Sequence, residues 1–263
     1  MLKKLIKYDL KYKFKALVIF YSLSIFFGIL TRIFFSIENS MIMNIIAQIC
    51  SGITISMIFN ILINNIMRSW VRFKHNIYGD ESYLTHTLPV DKKTIYTSKI
   101  LSSIITIFTS FLGIAITLFI AYYSKENMEI VKSILLPVAK IYESSMLKIL
   151  IAFLLILFLE FINILECGYT GIILGHKMPN GKTGFSILYG FGVYSILQVF
   201  VLISLFIVAL FNKDFMNLFF TNEIINLDMI KLIIYLTMII YTVTFIILHI
   251  VNIKLFKKGV NVD

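Results

Sequence analysis

The chain has 263 residues, is 59% hydrophobic and only 14% charged, and carries a formal net charge of +10. A soluble domain of this length would need far more polar surface to cover its core, so the composition excludes an ordinary water-soluble protein. The basic excess raises the question of nucleic acid, but its distribution points instead to an anionic membrane surface on one side.

The first 15 residues already carry a pattern. Leu2, Leu5, Ile6, Leu10, Phe14 and Leu17 recur at steps of three and four, with lysines on the other face. This predicts an amphipathic helix over 1–15 lying in the membrane interface, basic face toward lipid headgroups. No short apolar stretch is followed by a small-residue cleavage site, so no removable signal peptide is expected.

A helix needs about 20 apolar residues to cross the hydrocarbon. Six segments qualify, at 14–37, 41–67, 99–123, 148–174, 185–211 and 231–254. The expected fold is therefore all-α, a polytopic membrane protein with six transmembrane helices. Cys50 and Cys167 both lie inside apolar runs, where they are expected to be buried spectators rather than a disulfide or a metal site.

In chain order, the second span holds Asn44, Gln48 and Ser51 on one face, then Asn60 and Asn64. They are candidates for lining a path, or for hydrogen-bonding helices together. The 68–98 segment reads differently. Trp70, Phe73 and Ile77 continue a helix out of the span, and Gly79 ends it. Asp80 suits the N-cap of a short helix holding Tyr83 and Leu84, which Leu88-Pro89 stops. The expected product is a short amphipathic knob whose apolar face needs a partner surface.

The 124–147 loop has apolar residues at helical spacing, interrupted by Pro137. The fourth span contains Glu160, Asn163, Glu166 and Thr170 along one stripe. A carboxylate at mid-membrane costs roughly 2.5–3.5 kcal/mol on insertion scales unless paired, protonated or wetted, so Glu160 and Glu166 are expected to face a bundle interior or a cavity. Gly168, Gly171 and Gly175 permit close helix packing.

GHKMPNGKT has five residues between its glycines where a phosphate loop has four, and it follows a membrane helix rather than a strand. It reads as a tight turn at Pro179-Asn180-Gly181. In the fifth span Gly190, Tyr194 and Gln198 fall at i, i+4 and i+8, and Tyr194 and Gln198 are further candidates for a path. Residues 212–230 are too apolar for a solvated loop and are expected to dip back toward the membrane from outside. His249 in the sixth span reads as a packed residue rather than a ligand. No Ser/His/Asp grouping, HExxH or metal-ligand spacing is present, so neither catalysis nor a metal is expected.

Charge sets the orientation. Six lysines before residue 16, then Arg68, Arg72, Lys74, Lys92, Lys93 and Lys99, then Lys177, Lys182, Lys254, Lys257 and Lys258, all fall on one side of a six-span chain. Basic residues mark the cytoplasmic side, so both termini and the 68–98 loop are expected there.

MLKKLIKYDLKYKFKAL, YGDESYLTHTLPVDKKTIYTSKILSS and KLFKKGVNV together resemble ABC-2 type ABC transporter permeases, closest to peptide exporters of Firmicutes-type bacteria such as phenol-soluble-modulin exporters. The string Tyr83-Leu84 with Thr87-Leu88-Pro89-Val90 is the most specific part. The resemblance spans the whole chain and implies a bacterial plasma-membrane location. Residues 1–15 would be the connecting helix. The coupling helix would lie in 68–98, with Gly79, Asp80, Glu81, Tyr83, Leu84, Leu88 and Pro89 at the junction with a separate ABC ATPase. Residues 212–230 would form the extracellular re-entrant segment. Two ATPase subunits and a second permease copy would complete the exporter, with ATP and Mg2+ bound by the ATPase and no cofactor in this chain. Spans two and five would line the path, and an amphipathic peptide would be the cargo, with membrane lipid as a further partner and nucleic acid not involved. A permease for a small solute or lipid, or a membrane immunity or sensor protein that binds without transporting, is the alternative.

Overall fold

The structure is a computed structural model that describes residues 1–37, 40–141, 145–211, 216 and 227–258. Among the described residues the helices follow in order: α1 (Leu2–Phe35), α2 (Met41–Ile77), α3 (Ser82–Thr87), α4 (Lys92–Tyr122), α5 (Lys125–Ile141), α6 (Met146–Gly175), α7 (Lys182–Phe211) and α8 (Leu227–Lys257). No strand occurs among the described residues. Six of the helices, α1, α2, α4, α6, α7 and α8, are long and apolar enough to cross a membrane. The expected all-α, six-span fold is the one observed, and the chain is a multi-pass membrane protein.

The helices are longer than the spans read from hydropathy. α1 and α2 have 34 and 37 residues. At 1.5 Å per residue both exceed the roughly 30 Å of hydrocarbon by several turns. α1 runs without a break from Leu2, so residues 1–15 and the first span form one helix. The re-entrant segment expected at 212–230 lies outside the described residues, apart from Met216 and 227–230, which open α8.

The chain divides into two compact units, 1–129 and 130–263. In the first, α1 packs against both α2 and α4, and α3 sits on α2. The core-facing stripe of α1 is mostly polar or small: Asp9, Lys13, Leu17, Ser24, Gly28 and Thr31. Hydroxyls pair across helices along it. Tyr21 meets Ser110 at 2.8 Å, Ser24 meets Thr117 at 3.1 Å and Thr31 meets Thr54 at 3.1 Å. Asn65 of α2 joins Ser110 and Thr106 of α4 at 2.8 and 2.9 Å. Apart from Leu17, the large apolar residues of α1 such as Val18, Ile19, Phe26, Ile29 and Ile33 point outward instead. Lipid tails are as apolar as leucine, so burying leucine between spans gains little, whereas each interhelical hydrogen bond contributes about 0.6–2 kcal/mol.

The second unit is built around α6. Gly171 and Gly175 let α7 approach so closely that a Cβ at either position would overlap backbone atoms of Ser186 or Gly190. α8 is joined by hydrogen bonds. Asn163 donates to Tyr241 O at 3.0 Å and accepts from Thr244 at 3.1 Å, and Thr170 donates to Asn252 at 2.8 Å. Ala139 of α5, Ile149 of α6 and Ile234 of α8 form an apolar cluster at one end. Residues 176–181 turn the chain between α6 and α7, with Gly181 at φ +66°, the left-handed region that glycine enters without strain.

Candidate functional site

The most distinctive surface is α3 and its support. α2 stops at Tyr78, and the N–H of Gly79 returns to Lys74 O at 3.1 Å. Asp80 is exposed and does not cap the next helix; Glu81 occupies the N-cap position instead. Its carboxylate turns away from the backbone, because Arg72 Nη1 donates to both oxygens at 2.7 Å and Asn76 Nδ2 donates at 2.6 Å. Partial burial pushes the Glu81 carboxyl up, but these bonds prevail and hold it below the usual range. Burial alone pushes the neighbouring Tyr78 phenol up.

With one face fixed, the other is presented outward. Ser82 and Thr85 are buried, Thr85 donates to Glu81 O at 3.0 Å, and His86 Nε2 lies 3.1 Å from Ile77 O. Tyr83 and Leu84 are 76% and 68% exposed, and Leu88 and Pro89 are exposed beside them. Leu88 is already extended, as a residue before proline must be, so α3 ends at Thr87. Phe73, Tyr78 and Tyr96 pack edge to face beneath, with ring centroids 5.9 and 6.4 Å apart. Tyr83 and Leu84 are therefore the apolar tip of a helix held from behind.

Below α3 lies a buried set of charges. Asp9 Oδ1 accepts from Lys99 at 2.8 Å and from Arg72 Nε at 3.4 Å. Lys13, one turn along α1, donates to Ser102 at 3.0 Å and to Ser103. The Arg72 guanidinium also lies 4.3 Å from the ring centre of Tyr12. Sequence periodicity assigned Lys13 to the headgroup face, yet both Asp9 and Lys13 are buried. The available signal was their i, i+4 spacing with Leu17.

The candidates of α2 and α7 separate. Asn44, Gln48 and Asn60 are exposed, whereas Ser51 is half-buried and hydrogen-bonded to Tyr122 of α4 at 2.7 Å. The outward row runs in steps of four: Asn44, Gln48, Gly52, Ser56, Asn60 and Asn64, the last half-buried. Gly52 and Ser56 complete a stripe that the scattered Asn and Gln only hinted at. Asn60 and Asn64 donate to the carbonyls of Ser56 and Asn60 at 2.9 and 3.0 Å, leaving their amide oxygens free to accept. Tyr194 and Gln198 turn toward Glu160, donating to Oε1 at 2.8 and 3.1 Å.

Glu166 is fully buried. Asn252 donates to it at 2.7 Å and His249 Nδ1 lies 2.8 Å from Oε1. One proton lies between the two groups, on the imidazole or on the carboxyl. His249, which stands alone in sequence, is thus the partner of a buried acid. Cys50 and Cys167 are free and buried. Among the described residues no group of three or more His, Cys, Asp or Glu could hold a metal ion. No family model, curated protein or solved structure matches this chain.

Proposed function

We propose that this chain is the membrane-spanning permease subunit of an ATP-driven exporter of the ABC-2 type, moving amphipathic peptides out of a bacterial cell. The observation that carries the reading is the α3 tip. Two large apolar side chains, Tyr83 and Leu84, stand exposed on a short helix whose inner face is fixed by Glu81, Ser82 and Thr85. A solvated loop has no use for such a presentation, and a docked protein does. The charge distribution supports a cytoplasmic position for this tip and both termini, on the side where an ATPase resides.

The chain supplies no nucleotide site in this reading; ATP and Mg2+ belong to two copies of the partner ATPase. Closure of the ATPases on ATP moves α3, and the bundle shifts between inward- and outward-open states. The work comes from the different affinities of the two states for ATP. The polar row on α2, from Asn44 to Asn64, is costly against lipid and suits a wetted path shared with a second permease copy. Tyr194 and Gln198 fit this path less directly, since both are engaged by Glu160.

The test is assembly. Tyr83→Asp combined with Leu84→Asp should abolish co-purification with the ATPase encoded beside this chain, while Gln48→Leu should leave assembly intact and reduce peptide export. Full assembly of the Tyr83→Asp/Leu84→Asp variant would overturn the docking role.

A further inference from the structure

We propose that Arg72 is a positioning residue that ties α3 to α1 and α4, so that force applied at Tyr83 and Leu84 reaches the N-terminal helix and not only the two helices flanking α3 in sequence. This rests on the coupling reading above and identifies the internal route by which that coupling would act.

The connection is built from one guanidinium shared by two acids. Arg72 Nη1 straddles the Glu81 carboxylate at 2.7 Å, while Nε reaches back to Asp9 at 3.4 Å. Asp9 belongs to α1 and holds Lys99 of α4 at 2.8 Å. Four helices therefore meet through Glu81, Arg72, Asp9 and Lys99, whose partners lie as far as 90 residues apart in sequence. α3 packs on α2, and this chain of bonds carries that attachment on to α1 and α4. Asp9 and Lys99 are both buried, so water does not screen them as it screens a surface pair.

The geometry suits a moving joint better than a static brace. The Arg72–Asp9 arm is the long one, and both cations use Oδ1 while Oδ2 is buried with no partner. Asp9 thus keeps a spare acceptor, and Arg72 can move from one oxygen to the other without losing the ion pair. Lysine at position 72 would keep the charge but has no planar fork to serve two acids at once.

Two variants break the connection at opposite ends. Glu81→Gln acts at a side chain 44% exposed and burdens no core. Asp9→Asn acts at the buried node. Nitroxide labels at Leu84→Cys and Lys4→Cys, in a full-length background with Cys50 and Cys167 replaced by alanine, read the α3–α1 distance by pulsed electron resonance in lipid nanodiscs. The expected result is one narrow distribution for the parent, broadened by Glu81→Gln, by Asp9→Asn and by Arg72→Lys. The Glu81→Gln/Asp9→Asn double variant should be no broader than either single, because both cut one series connection. With the ATPase present, Arg72→Lys should retain assembly and basal hydrolysis but lose stimulation by an amphipathic peptide. Unchanged distributions, or additive broadening in the double variant, would overturn the proposal, as would full stimulation in Arg72→Lys. If the parent binds no ATPase at all, the coupling reading fails, and the distance measurement still decides whether Arg72 ties α3 to α1.

Discussion

At the scale of single residues, the buried acids show how a polar group persists in a greasy chain. Glu166 is met by two side chains of α8, His249 and Asn252. Removing one of them takes a hydrogen-bond partner from a buried acid, whereas replacing the acid by an amide keeps the shape and the ability to hydrogen-bond. His249→Ala should therefore cost more than Glu166→Gln, about 2–3 kcal/mol against about 1, below the range for soluble buried pairs because the unfolded helix in lipid also finds partners. Unfolding in mild detergent compares the two directly. Glu81 gives a pH prediction. Its folded carboxyl titrates below its unfolded value, so its contribution is present above the ordinary glutamate pKa of about 4.3 and lost as pH falls through the folded value. Amide exchange across residues 78–90, after correction for the intrinsic rate, should stay flat between pH 6 and pH 8, on the order of two units above that transition, and rise only in more acidic solution.

At the scale of helices, close approach decides the packing. The α6–α7 contact depends on hydrogen at two Cα positions, so Gly171→Val or Gly175→Val should push the helices apart and lower stability by about 1–3 kcal/mol or more, the usual cost of overpacking. Gly184→Ala, where no atom lies within 4 Å of the added carbon, should be close to neutral. A thermal-shift comparison of these variants tests the contrast. The spans themselves were legible, because about 20 apolar residues have few other destinations. So were the Pro179-Gly181 turn and the end of α3 before Pro89, since proline and glycine act locally. Less was legible in α1. Lys13 looks like one more headgroup lysine until Ser102 and Ser103, some 90 residues away, are seen to receive it. The Glu160 and Tyr194 stripes were each visible along their own helices, but one-helix periodicity carries no record of which neighbour a stripe faces. Asp80 looked like a cap because short-range statistics favour it, and Arg72 makes that cap unnecessary by fixing Glu81 instead.

At the scale of the whole molecule, the account joins charge asymmetry to one exposed apolar tip. The tip has a docking role only if it faces the compartment that holds ATP. Leu84→Cys, in a background with Cys50→Ala and Cys167→Ala, places one thiol on that tip. A membrane-impermeant maleimide should leave it unlabelled in intact cells, label it in inverted vesicles, and fail to label it once the neighbouring ATPase is bound. Labelling from outside intact cells, or undiminished labelling with the ATPase bound, would contradict the account.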